Sequence, residues 1–160
     1  MNEPSLETGR GYFAIGAERM SKSLNLGNMM RSAHAFGASF TFTIGAAYSA
    51  LEAIADTSRG SQHLPHYDWK GLDDIALPRG CQLVGVELID EAIDLPRFLH
   101  PSQAAYVLGP EKGSLSPELL AKCDVVVKIP MRFCVNVAMA GAIIMYDRMI
   151  SRRPLTRLPR

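Results

Sequence analysis

Cysteine is scarce in this chain and poorly spaced for bonding: Cys81, Cys123 and Cys134 form an odd set with no Cys-x-x-Cys. That argues against a disulfide framework or a thiolate zinc site and fits a reducing compartment such as the cytoplasm. Long apolar runs are missing too. The longest, Cys134 to Tyr146, is interrupted by Asn136 and falls well short of the ~20 residues a membrane span needs. Residues 1–10 are polar and include Glu3 and Glu7, which argues against a signal or transit peptide. Net charge is nearly absent, formally +1, so the total says little about partners. Its placement says more. Arg148, Arg152, Arg153, Arg157 and Arg160 close the chain with no acid among them, leaving the remainder net acidic. A basic tail on an acidic body suits a polyanion, although arginines beyond a helix C-terminus look the same. Repeats and low-complexity segments are absent. His63-x-x-His66 with Asp68 has no third ligand at convincing spacing, so these read as surface histidines and no metal is expected.

At 160 residues the chain is long enough to hide roughly 70% of its unfolded surface, the scale of one domain. We expect a single domain over residues 1–160, with residues 1–10 an N-terminal tail and residues 151–160 a basic C-terminal tail. Tyr12–Ile15, the alternating Ser39–Ile44 and Val125–Val127 read as strands, and Leu83–Leu88 and Ala104–Leu108 are short continuous apolar runs typical of a sheet covered on both faces, hence parallel pairing. Helical spacing of Leu26, Met29, Met30 and Ala33 predicts a helix capped by Ser23 and ended by Phe36-Gly37. Ser116-Pro117-Glu118 opens another with a cap, a first-turn proline and an acid. Cys134 to Ile150 is a last helix, apolar nearly all round, which implies cover beyond its own sheet. Residues 46–74 carry a weak pattern, a helix grading into a surface loop. Alternating strands and helices give an α/β domain, a mainly parallel sheet flanked by helices.

Three stretches carry polar groups in apolar surroundings. Asn25-Leu26-Gly27-Asn28-Met29-Met30-Arg31-Ser32-Ala33 sets Asn25 and Arg31 into an apolar helical pattern. Leu108-Gly109-Pro110-Glu111-Lys112-Gly113-Ser114-Leu115 turns the chain at the carboxyl edge of the sheet, where open α/β sheets bind ligands. It is neither a Walker A loop nor Gly-x-Gly-x-x-Gly, and alone it reads as a tight turn before a helix. Ile129-Pro130-Met131, followed by Cys134-Val135-Asn136-Val137-Ala138, is a second strand exit. Two neighbouring exits can cradle one small molecule.

In this order the three stretches resemble the motifs of the SpoU/TrmH group of SPOUT RNA methyltransferases, over about residues 11–149. The resemblance implies a SPOUT-type fold with a deep C-terminal trefoil knot, a homodimer, S-adenosylmethionine as cofactor, and RNA as partner, tRNA ahead of rRNA. It implies neither a membrane nor a DNA partner. Its catalytic positions fall on Arg31, Asn25, Glu111 and Asn136, and its cofactor cradle on Leu88, Leu108, Gly109, Ile129, Met131 and Cys134. The implied reaction is methylation of a ribose 2′-hydroxyl. Arg31 is too weak an acid to serve as a literal base, so we expect it to clamp ribose and phosphate and to stabilise a developing alkoxide. Glu111 would orient that arginine, and Asn25 and Asn136 would fix it or the substrate. Cys134 stands where the group commonly has serine, and the connection from Ile129 to Asn136 is shorter than usual. The bland reading of Cys134 is a small buried hydrophobe. His34, three residues after Arg31, either flanks the RNA site or is an ordinary helix histidine. Two alternatives stay open: methylation of a base nitrogen by the same superfamily, and a knotted RNA-binding protein without catalysis.

Overall fold

The structure is a computed structural model and describes residues 11–47 and 64–152. Seven strands form one sheet: β1 (Tyr12–Glu18), β2 (Phe40–Ile44), β3 (His66–Trp69), β4 (Gln82–Val86), β5 (Ile93–Asp94), β6 (Gln103–Leu108) and β7 (Val125–Lys128). Their spatial order is β3-β2-β1-β6-β4-β7-β5, with every pairing parallel. The helices are α1 (Ser23–Ala35), α2 (Pro117–Lys122) and α3 (Val137–Ser151).

Both faces of the sheet are covered, as the continuous apolar runs require. On one face Phe13, Ile15, Ala17, Tyr106 and Leu108 pack against Leu26, Met29, Met30 and Ala33 of α1 and against Val137, Ile144 and Met145 of α3. Each such side chain is worth roughly 1.5–3 kcal/mol when fully removed from water. Gly141 lets α3 come close, since a Cβ there would lie 3.2 Å from Ile15 Cδ1. On the other face Ala14, Phe40, Phe42, Ile44, Leu83, Ala105 and Val107 meet Leu115 and Leu119.

Several sequence expectations need correction. Ser23 does not cap α1. Lys22 holds the cap position with no side-chain bond, and the amides of Ser21 and Lys22 donate instead to the distant Glu111 carboxylate. β3 lies within the stretch read as a helix grading into a loop, of which residues 48–63 fall outside the described residues. β5 was not foreseen either; like β3 it is a short edge strand. α3 starts at Val137 rather than Cys134, with Asn136 as its cap. α1 packs beside it, and in the single chain Met139, Tyr146 and Ile150 on its outer side are exposed.

Arg148 is no part of a solvated tail. It is 5% exposed, donates to the carbonyls of Tyr12, Pro101 and Ser102 and to the Tyr106 hydroxyl, and lies over the Phe13 ring. Arg152 donates to the His100 carbonyl. Residues 1–10 and 153–160, which hold the two expected tails almost entirely, lie outside the described residues.

Candidate active site

β4, β6 and β7 run in the same direction, so their carboxyl ends emerge side by side. Between the segments that follow them lies a cleft of about 250 Å³. Leu88, Leu108, Gly109, Ile129, Met131 and Cys134 line it, together with Asn25, Glu111 and Asn136. Nine of the ten residues singled out from sequence therefore share one cavity.

A chain of hydrogen bonds ties the three sequence stretches together. Asn25, only 7% exposed, donates through Nδ2 to Glu111 Oε1 (3.1 Å) and accepts at Oδ1 from Asn136 Nδ2 (3.0 Å). Asn136 Oδ1 accepts from the amides of Ala138 and Met139 and so caps α3. Glu111 also accepts from the Ser21 amide (2.9 Å), the Ser21 hydroxyl (3.0 Å) and the Lys22 amide (2.9 Å). Its carboxylate thereby supplies the negative charge that the first turn of α1 lacks in its own sequence. Burial by itself raises the Glu111 pKa. The bonds from the Ser21 amide, Asn25, its own amide and the Lys22 amide outweigh it, and the carboxyl sits below its ordinary 4.5.

Two acids that the sequence reading passed over hold the same loop. Glu87 lines the cleft and accepts from the Leu115 amide (2.7 Å), while Glu18, 4% exposed, accepts from the Ser116 amide (2.7 Å) and hydroxyl. Arg19 donates to the Ser114 carbonyl at 2.8 Å. A signal for the two acids existed: each is the first charge after an apolar strand run at the sheet's carboxyl edge. Gly113 completes the loop at φ 101°, a conformation that a side chain would strain.

Arg31 stands apart. It lies six residues beyond Asn25 on α1, exposed, and is not among the residues lining the cleft. Within one chain Glu111 accepts from Ser21, Lys22 and Asn25, and Asn25 and Asn136 bind each other. Cys134 is exposed in the cleft wall, not buried as a small hydrophobe.

The histidines serve other ends. His66 Nδ1 pairs with the Thr41 hydroxyl at 2.7 Å and its Nε2 with Asp68 at 3.0 Å. It is a mostly buried side chain rather than a surface histidine. Among the described residues no group of metal ligands forms.

A model of the SpoU rRNA methylase family matches residues 12–146. The chain belongs to that family. A curated relative, the mouse (Mus musculus) tRNA (guanosine(18)-2′-O)-methyltransferase TARBP1, is 26% identical over 149 residues, covering 83% of this chain and 9% of that protein. Among solved structures, the SpoU methyltransferase AviRb from Streptomyces viridochromogenes in complex with AdoMet superposes with a TM-score of 0.79 at 22% identity, over 94% of this chain and 62% of that one. A structure described as giving insight into 2-OH methylation of C/U34 on tRNA has a TM-score of 0.76 at 23% identity, over 91% of this chain and 94% of its own. This SpoU methylase chain thus spans less than two thirds of the first two relatives. No helix among its described residues is long and apolar enough to cross a membrane.

The cleft suits the methyl donor that the AviRb complex carries. Leu88, Leu108, Ile129, Met131, Val137 and Ala140 give apolar walls for a flat base. Glu87 and Glu111 place anionic oxygens at the lining, a setting that favours a positively charged sulfonium.

Proposed function

We propose that this chain is an RNA ribose 2′-O-methyltransferase that uses S-adenosylmethionine and acts on tRNA in the cytoplasm. The observation that carries the proposal is the Glu111–Asn25–Asn136 chain, which fixes three separate segments around a single cleft. S-adenosylmethionine supplies an activated methyl group. The walls at Leu88, Leu108, Gly109, Ile129, Met131 and Cys134 would hold it, while Asn25, Glu111 and Asn136 set the distance between the loops rather than handle a proton. Preorganisation of this kind is how an enzyme lowers the barrier of a displacement whose two reactants need little beyond alignment.

Arg31 enters from outside its own cleft. The outward stripe of α1 carries Leu24, Asn28 and Arg31, and α3, packed beside it, presents Met139, Tyr146 and Ile150. We read this apolar face as the contact of a homodimer that brings Arg31 to the cleft of the second copy, where it clamps ribose and phosphate. The trefoil knot belongs to the same reading: the loop after β6 and the segment leading into α3 border one cleft, as threading of that helix through the loop would require.

tRNA is preferred to rRNA because the mouse relative acts on tRNA and the relative matched over 94% of its own length is described for tRNA ribose methylation. Deleting the gene and mapping ribose methylation in total RNA tests the proposal. Loss of one 2′-O-methyl nucleotide from tRNA is expected. Loss of a base methyl instead would favour the nitrogen-modifying alternative, and an unchanged map would favour RNA binding without catalysis.

A further inference from the structure

β3 is an edge strand, and its two faces differ sharply in chemistry. His66 and Asp68 turn toward Thr41 and Thr43, closing a polar cluster beside the α1 side of the sheet. Tyr67 and Trp69 stand on the opposite face in register with Phe42 and Ile44. Their rings are nearly parallel, 15° apart with centroids 6.3 Å from each other. Phe42 backs Trp69 at 5.0 Å, and Phe40 meets Tyr67 edge-on at 5.5 Å. Four aromatic rings therefore gather at one margin of a chain whose aromatic content is only 8%. The lower two are core, at 8% and 0% exposure, whereas Tyr67 is 49% exposed. Tyr67, held from beneath and half exposed, loses little entropy when another ring lies on it, and the partly buried Trp69 borders it.

The margin is also joined to the cleft by cations. Lys70 follows Trp69 directly and is exposed. A Cβ placed on Gly45 would lie 3.7 Å from the Lys70 carbonyl and 3.9 Å from Arg19 Cγ, so the Lys70 backbone and the Arg19 side chain converge on one glycine. Arg19 is a non-glycine residue at positive φ, 51°, held there as its amide donates to the Ile44 carbonyl and its guanidinium to Ser114 of the cleft loop. Its Nε also lies 3.9 Å from the Glu18 carboxylate, yet the side chain remains 54% exposed, so part of the guanidinium can still meet a ligand. β3 lies three strands from β6, roughly 15 Å at ordinary strand spacing, a span of a few nucleotides. Asp68 faces the other side of the sheet, while Glu18 offsets part of the track's charge and the exposed Asp73 and Asp74 follow Lys70 in the chain.

We propose that Tyr67 and Trp69 form a stacking platform for an unpaired base of the RNA substrate, with Lys70 and Arg19 guiding the phosphates between that base and the cleft. An aromatic platform beside a cationic track is how proteins hold single-stranded nucleic acid without reading its sequence. The proposal rests on RNA being the substrate, and the platform accounts for a contact surface on a chain with little net charge.

Trp69 is the only tryptophan of the chain, so its fluorescence reports on the platform alone. The test titrates the full-length protein with a single-stranded RNA oligonucleotide carrying a dye, following dye anisotropy for binding and Trp69 emission for stacking. Saturable quenching in step with the anisotropy change is expected, and Tyr67→Ala should weaken binding at least about fivefold while Tyr67→Phe restores it. Tyr67 is half exposed, so neither variant threatens the core; S-adenosylmethionine affinity, measured alongside, should not move. RNA that binds without quenching and with equal affinity to Tyr67→Ala would overturn the platform and leave the RNA substrate standing. Absence of any RNA binding would overturn both.

Discussion

Glu111 carries much of the site, because its carboxylate bonds groups from two other parts of the chain. It accepts bonds from Ser21, Lys22 and Asn25, which joins the loop after β6 to the start of α1. Replacing it with Ala should cost about 1–3 kcal/mol of stability, because amide donors lose a charged acceptor, and should weaken S-adenosylmethionine binding at least tenfold. Urea unfolding and calorimetry measure the two effects; unchanged cofactor affinity would show that the loop holds its place without the carboxylate. Its pKa adds a direction. A carboxyl lowered below 4.5 in the fold contributes stability above that value, and the contribution disappears as pH falls through the lower folded-state value. Cysteine gives a second residue-scale contrast. Cys123 is half-buried, and burial pushes its thiol up to about 11, so it is protonated at neutral pH and slow to react. Cys134 is exposed in the cleft. Brief alkylation followed by peptide mass spectrometry should label Cys134 well before Cys123, with S-adenosylmethionine protecting Cys134; equal labelling with and without cofactor would place the cofactor elsewhere.

α3 is fixed at both ends by side chains that look unremarkable in the sequence. Asn136 caps its first turn and reaches Asn25, while Arg148 in its last turns satisfies three carbonyls near the amino ends of β1 and β6. Loss of the cap in Asn136→Ala should cost ~1 kcal/mol. Arg148→Ala strands several buried acceptors and should cost about 3 kcal/mol or more. Denaturant midpoints of the two variants test this ranking, and a cost for Arg148→Ala no larger than for Asn136→Ala would contradict it. The sequence made the central strands and long helices plain, since each is an apolar run or a helical stripe longer than any competing pattern. It hid β3 and β5, because short edge strands bury one side at most and alternate too briefly to stand out. The burial of Arg148 is hidden for a related reason: a run of arginines looks solvated until tertiary contacts set carbonyls around one of them. Nine of the ten site residues converge because strand exits on one edge of a parallel sheet must be neighbours. Arg31 does not join them because exposure on a helix follows from what packs on it, which local pattern alone leaves open.

Across the whole molecule the two ends of the sheet do different work. The carboxyl edge holds the cleft, and the amino edge holds a buried polar chain. Arg148 donates to the Tyr106 hydroxyl, which pairs with His100 Nδ1 at 2.6 Å, and His100 Nε2 pairs with Asp147 at 2.8 Å. Tyr106 then donates to Nδ1, so the chain needs a neutral imidazole protonated on Nε2. Burial lowers the His100 pKa despite Asp147, and lowers that of His66 despite Asp68. A histidine that the fold keeps neutral contributes stability above its unfolded pKa of ~6.5, and the contribution is lost as pH falls below that value toward the folded one. Unfolding free energy should therefore decline from pH 7.5 to 5.5, less so in His100→Gln; a flat profile would mean that neither histidine is held neutral. The most direct test of the central claim is nucleoside mass spectrometry of tRNA incubated with purified protein and S-adenosylmethionine carrying a deuterated methyl. The expected result is a deuterated methyl on one ribose, absent with Arg31→Ala although that variant still binds the cofactor. A label on a nucleobase, or full activity of Arg31→Ala, would contradict it.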